Sequence, residues 1–166
     1  MKKFLIVLTV LLLSIKAVSA QNEGKPVLYN QFRDYVEWLQ AHEDTSALNK
    51  SVNEWLGTPY KYAGKTKSGV DCSGLVYNIY KEVYNKIIPP ISKLQWKFSK
   101  RIFKNALLPG DLVFFRSKRS PSGWHVGIYL GNGDFVHSPR RGDVVKISNL
   151  NNKYYLNNYK GAGRVI

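Results

Sequence analysis

One cysteine and two of the three histidines are the side chains of this 166-residue sequence whose types and spacing suit nucleophilic chemistry. Cys72 stands in GVDCSGLVYNIY, residues 69–80, directly after an aspartate and at the head of an apolar segment. A thiol is a poor nucleophile until it ionises, and a helix N-terminus and a nearby imidazole both favour the thiolate. Asp71 opposes that ionisation and reads either as the helix cap or as the partner of a substrate amine. His125 and His137 fall on successive strands of one expected hairpin. A Cys–His pair whose base is oriented by a third polar group is the triad logic of cysteine hydrolases. In that scheme Cys72 attacks, His125 is the base and His137 holds its ring. His42, beside Glu43 and Asp44, reads as a solvated surface residue. A small cysteine on a helix is more often a core residue, and a strand histidine is more often a satisfied core or surface group. The residues alone leave the catalytic and the core readings open.

The hairpin poses a geometric problem. A two-residue Asn132-Gly133 turn sets Leu130 against Phe135 and sends the two histidines to opposite faces. Facing them requires an odd-length loop centred near Gly131 or a β-bulge, and the local glycines permit either.

A single cysteine excludes an internal disulfide, and with no C-x-x-C or H-x-x-x-H spacing it excludes a cysteine-based zinc site. The N-terminus, MKKFLIVLTVLLLSIKAVSA, reads as a secretory signal peptide over residues 1–20: two lysines, an apolar run from Phe4 to about Ile15, then small residues. That run is shorter than the roughly 20 apolar residues of a membrane span, and no second run follows. With no cysteine at the cleavage site, a lipid anchor is not expected there. The mature chain is expected outside the cytoplasm, in the periplasm or the extracellular envelope, without stable membrane insertion. A lone thiol in such an oxidising compartment is either well buried or kept for its reactivity. Removing Lys2, Lys3 and Lys16 lowers the net charge from +14 to about +11, enough to attract anionic polymers or headgroups. The basic residues are scattered, and no nucleic-acid-binding motif accompanies them.

Helical spacing of Leu28, Phe32, Tyr35, Val36 and Leu39 predicts a helix over 28–41. Leu48, Val52, Trp55 and Leu56 predict a second from about Ser46, capped by Thr45 or Ser46. Residues 57–69 read as a loop. A third helix starts near Cys72, turns Leu75, Val76, Ile79 and Val83 inward, and ends at Ile87-Ile88-Pro89-Pro90. Residues 91–108 read as a short helix plus a connection. Four strands follow, at 111–115, 125–130, 134–138 and 143–147, separated by Gly, Pro, Asn and Asp turns. Helices first and a strand meander second make an α+β domain.

GTPYKYAGKTKSGVDCSGLV, LPGDLVFF and HVGIYLGNGDFVHSP, in that order, resemble the NlpC/P60 family of papain-like cell-wall cysteine peptidases, and the closing KGAGRVI resembles its last strand. The resemblance runs from about Leu48 to Val165. Together with the N-terminal reading it gives the expected order signal peptide (1–20), N-terminal helical extension (21–45) and catalytic domain (46–166). In that domain a helix carrying the cysteine packs on a small antiparallel sheet carrying the histidines. By this resemblance Cys72, His125 and His137 are the catalytic residues. Tyr60, Asp71 and Ser73 line the substrate cleft, with Asp71 able to pair with the free amine of a trimmed stem peptide. The freed N–H of Cys72 is expected to hold the oxyanion. The implied reaction is hydrolysis of peptidoglycan stem peptides at the γ-D-glutamyl–diamino acid bond, with no metal or organic cofactor and the protein a monomer. Alternatives are an amidase or acyltransferase acting on another envelope amide or a lipid, and a catalytically silent basic wall-binding module. Three departures stand out. The arginine many relatives carry after the cysteine helix is absent from Pro89–Gln95, although Gln95 is kept. Ala63 replaces the first glycine of a Y-G-G stretch whose second is Gly64. Trp124 precedes the base, where it is expected to form an aromatic wall of the cleft.

Overall fold

A computed structural model describes residues 45–118 and 120–165, so the signal peptide, the helix expected at 28–41 and His42 lie outside the described residues. Apolar residues at helical spacing form α1 (Ser46–Trp55), which buries Leu48, Ser51, Val52 and Trp55. Thr45 is its N-cap residue but makes no side-chain cap hydrogen bond. Leu56, expected on the buried face, is the C-cap and is 39% exposed. The expected loop holds a short antiparallel ribbon, β1 (Lys65–Thr66) and β2 (Gly69–Val70). Helix α2 (Cys72–Tyr84) turns Leu75, Val76 and Ile79 inward as expected. It stops earlier than the prolines imply, because Asn85 adopts the left-handed conformation (φ +50°) and its N–H bonds the Tyr80 carbonyl.

The connection that follows holds α3 (Ser92–Phe98), β3 (Lys100–Ile102) and a 3₁₀ turn (Lys104–Ala106). Strands β4 (Leu112–Arg116), β5 (Trp124–Gly131), β6 (Asp134–His137) and β7 (Lys146–Asn149) form the meander. A short helix α4 (Lys153–Asn158) and β8 (Tyr159–Arg164) close the chain. The six-stranded sheet runs β3-β8-β4-β5-β6-β7, and every neighbouring pair is antiparallel. Strand β7 starts three residues later than the sequence pattern suggests, since Val144 is engaged in an isolated bridge to Pro59. Strand β3 carries too few apolar residues to announce itself, and it exists because β8 offers it an edge.

Alternation along the strands creates two cores. Leu112, Phe114, Val126 and Ile128 pack against α1 and α2 through Leu48, Trp55, Leu75, Ile79 and Tyr80. Val113, Phe115, Phe135 and Leu150 cluster on the opposite face with Tyr129, Tyr155 and Tyr159.

The start of β4 and the end of β8 meet in a buried ion pair. Asp111, fully buried, accepts from Arg164 Nε and Nη2, both at 2.9 Å, and from the Leu108 N–H at 2.7 Å. Arg164 also donates to the Ala106 carbonyl at 2.9 Å, and the Tyr80 hydroxyl donates to the Gly110 carbonyl at 2.6 Å. The LPGD turn is thereby tied to both β8 and α2. Removing one member of a buried pair strands the other charge in a low dielectric. Asp111→Ala is accordingly expected to destabilise the domain by about 3–5 kcal/mol, measured as a shift in urea midpoint. A loss under about 1 kcal/mol, the range of an exposed pair, would show that Arg164 reaches water.

Candidate active site

Cys72 is the first residue of α2, and Asp71 is its N-cap in extended conformation. The Asp71 carboxylate accepts from the Gly74 N–H at 2.7 Å and the Ser73 hydroxyl at 2.9 Å through Oδ1, and from the Ala63 N–H at 2.9 Å through Oδ2. One side chain therefore caps the helix and fastens the 57–69 segment across its start. The backbones meet closely there: a Cβ on Gly74 would lie 2.2 Å from the Gly64 carbonyl oxygen. Ala63, standing where relatives have glycine, has φ +54°, in the left-handed region that costs an L-residue energy. The retained Gln95 is fully buried and donates to the Ser73 carbonyl at 3.0 Å, bracing the first turn of α2 from the side of α3.

Cys72, Asp71, Ser73 and Tyr60 line one cleft of about 370 Å³ together with Tyr62 and Ile91. The structure thus brings together three of the four expected cleft residues with the thiol. Trp124 goes elsewhere: it packs on Trp96 at 5.3 Å between ring centroids and on Phe114 at 6.4 Å, with the Lys160 ammonium 3.8 Å from its ring centroid. Its parity on β5 matches Val126 and Ile128, so it belongs to the main core.

The hairpin problem is solved by a bulge. Gly131 pairs with Asp134 across the Asn132-Gly133 turn, both of whose residues have positive φ, but Tyr129 pairs with Phe135 and Ile128 with Val136. Leu130 is the extra residue, and it shifts the register by one so that His125 and His137 share a face. His125 Nε2 and His137 Nδ1 are 2.8 Å apart. Gly127 lies between them on that face, and a Cβ there would come within 2.7 Å of the Phe135 ring and 3.3 Å of His137 Cβ. A bare glycine is what lets His137 close on His125. Beyond it, His137 Nε2 lies 3.0 Å from Ser148 Oγ on β7 and 3.2 Å from Tyr155 Oη on α4. Nothing in the spacing of Ser148 and Tyr155 marks them in the sequence, since they reach His137 only through sheet register and the α4 crossing. His125 lines a second cleft of about 290 Å³ whose walls include Arg116, Arg140, Lys146, Ser148 and Tyr155.

The thiol meets the sheet at Val126, the residue after His125, whose N–H favours its ionised form. Burial, and then the Asp71 carboxylate, push the Cys72 thiol up to about 12, opposed by the N–H groups of Val126, Ser73 and Cys72 itself. Burial lowers His125 to about 4. Burial, then His125 and Lys146, hold His137 well below the usual imidazole range. Burial thus favours the neutral thiol and neutral rings over a thiolate–imidazolium pair.

A cysteine-led helix packed on an antiparallel sheet with paired imidazoles defines a papain-like α+β scaffold. The chain belongs to the NlpC/P60 family, whose model matches residues 57–164. It is 40% identical over 120 residues to the "Probable endopeptidase NlpC" of Escherichia coli K12, covering 72% of this chain and 77% of that one. It is 32% identical over 151 residues to the E. coli K12 "Murein DD-endopeptidase MepS/Murein LD-carboxypeptidase", covering 91% of this chain and 77% of the relative. Among solved structures, an NlpC/P60 family protein from Bacillus cereus ATCC 10987 superposes with a TM-score of 0.67 at 36% identity. That match covers 74% of this chain and 40% of the B. cereus chain.

Two outcomes follow from the local physics. Ala63→Gly relieves the left-handed strain and is expected to raise stability by about 0.5–1 kcal/mol after the entropy cost of glycine, read as a melting temperature a few degrees higher. An unchanged or lower melting temperature would mean that the loop relaxes around Ala63 without cost. Both histidines bind protons more readily unfolded than folded. Their contribution to stability is therefore complete above the ordinary imidazole pKa and is lost as pH falls from about 6.5 toward 4. The stability difference between the wild type and a His125→Gln variant is expected to shrink over that window in urea titrations. A pH-independent difference would place the protonated ring of His125 in water.

Proposed function

We propose that this chain is an exported cysteine endopeptidase that hydrolyses peptidoglycan stem peptides, with Cys72 as nucleophile, His125 as base and His137 as the residue that orients the base. The observation that carries this reading is the His125–His137 pair, hydrogen-bonded across β5 and β6, with the Val126 N–H beside His125 meeting the thiol. Its relatives add support, for the two E. coli proteins named above are endopeptidases by name, one of them a murein endopeptidase. Among the described residues, no helix is long and apolar enough to cross a membrane.

The preference for neutral thiol and rings shapes the chemistry. The His125 ring takes the thiol proton as the sulfur attacks the amide carbonyl, so charge separates only once substrate has displaced water. The N–H groups at the start of α2 lack intrahelical acceptors and suit the oxyanion. His125 then returns the proton to the departing amine, and water hydrolyses the thioester. Because the base delivers that proton, the amine fragment departs on the His125 side. The second cleft there, with Arg116, Arg140 and Lys146, suits a fragment carrying carboxylates. The acyl portion then occupies the Cys72 cleft, where Tyr60, Asp71 and Ser73 meet it. Asp71 already accepts three hydrogen bonds, so an amine would bind it as an added ion-pair partner beside a formed cap.

The bond we assign is the γ-D-glutamyl–diamino acid linkage. The name of the MepS relative favours a second target, the DD cross-link between stems. Mass spectrometry of defined muropeptides, one linear and one cross-linked, separates the two by product mass. Cys72→Ala is expected to abolish all products while keeping the far-ultraviolet circular dichroism of the wild type. Residual cleavage by that variant would end the cysteine mechanism. His125→Ala is expected to cut kcat by about 10²–10⁴-fold, and His137→Ala by clearly less, since it acts through the other ring. Equal or inverted losses would reverse the two roles.

A further inference from the structure

A γ-linked glutamyl residue differs from an ordinary peptide residue in one respect beside the scissile bond. Its α-carboxylate stays free, four carbon–carbon bonds and about 5 Å from the carbonyl that the thiol attacks. A cleft that takes in such an acyl group also takes in that charge. Desolvating an unpaired carboxylate is costly, so a cation is called for.

Among the described residues, one cation lines the Cys72 cleft. Pro90, Ile91 and Ser92 wall it on the α3 side and Ser120 and Ser122 on the side of the loop before β5, and none of the five is charged. The remaining wall is the 57–69 segment and the start of α2, where Lys65 is the one basic side chain and Asp71 the one acid. Lys65 belongs to β1, and its backbone is fastened to the cysteine helix. Asn78 Nδ2 donates to the Lys65 carbonyl and to the Gly74 carbonyl, both at 3.0 Å. The Lys65 ammonium lies 5.9 Å from the ring centroid of Tyr77. Tyr77 follows Ser73 by four residues on α2, so the ammonium stands over the helix face that presents Ser73 to the cleft.

Lys65 and Asp71 do not neutralise one another. The hydrogen bonds to Asp71 come from Ala63, Ser73 and Gly74. Among the described residues, no carboxylate forms an ion pair with Lys65. Arg141, whose charge is felt at Tyr60, is the rival cation, but it does not line the cleft.

We propose that Lys65 is a specificity-determining residue that pairs with the free α-carboxylate of the γ-glutamyl acyl group, beside Asp71 as the partner of the amine. The two opposite charges of the cleft then match the two charges of a trimmed stem, its α-carboxylate and its N-terminal amine. A stem whose α-carboxylate has become a carboxamide loses one ion pair and is the poorer substrate. This inference rests on the proposed γ-D-glutamyl bond and names the group that recognises its acyl side.

Two linear muropeptides that differ only in this α-group, carboxylate or carboxamide, test the proposal with the folded mature chain. The wild type is expected to favour the carboxylate by about tenfold in kcat/KM. That preference is expected to shrink as salt is raised, since Lys65 is exposed. Lys65→Gln is expected to bring the ratio near one, Lys65→Arg to preserve it and Lys65→Glu to invert it. Arg141→Gln is expected to keep the wild-type ratio. A wild-type ratio near one, a Lys65→Gln loss equal on both substrates, or a ratio abolished by Arg141→Gln would each overturn the proposal. Calorimetry reads the same contrast without turnover, as the Kd of Cys72→Ala for L-alanyl-γ-D-glutamate and for its α-amide. Equal Kd values overturn the proposal, whereas tighter binding of the carboxylate supports it. Cleavage by Cys72→Ala, or none by the wild type at the γ-D-glutamyl bond, overturns the peptidase reading instead, and the Kd contrast then decides the role of Lys65.

Discussion

The site depends on one extra residue in a strand. Side chains alternate along β5 and β6, so their register decides whether His125 and His137 meet or point to opposite faces. The tight Asn132-Gly133 turn alone would separate them. Leu130, bulged between the Tyr129–Phe135 and Gly131–Asp134 pairs, shifts the register by one and turns both rings to the same side. Gly127 then supplies the space and Phe135 the floor, its ring centroid 4.8 Å from that of His137. The imidazole pair, its hydroxyl partners on β7 and α4, and the second cleft all follow from that shift.

A second constraint works at the other end of the site. The Asp71 carboxylate caps α2 and holds the Ala63 N–H, so one side chain fastens the loop that walls the cleft to the start of the cysteine helix. The same charge disfavours a thiolate, as does burial. The helix amides and the Val126 N–H oppose both without overcoming them. What results is a thiol fixed at the helix start with its ionisation disfavoured.

Much of this was legible in the sequence because it is local. The apolar spacing of Leu75, Val76 and Ile79, the aspartate before Cys72, and the alternating run from Val126 to Leu130 each report on a few consecutive residues. The motif resemblance added the pairing of distant segments. Reading failed where a distant partner decides the outcome. Strand β3 forms because β8 has a free edge, α2 ends at a left-handed Asn85 and not at its prolines, and Trp124 is claimed by Trp96 and Phe114 before any cleft can use it.

The sequence by itself determined the α+β class and singled out the helix-start cysteine and the two histidines as candidates, since residue type and short-range period suffice for that. It also posed the parity problem of the hairpin, without the means to choose between a longer loop and a bulge. Tertiary structure decided that choice, the burial that favours neutral thiol and rings, and the Ser148 and Tyr155 contacts behind His137. Each of those depends on groups brought together across the sheet, and no spacing along the chain encodes a contact whose distance is set by how strands and helices pack.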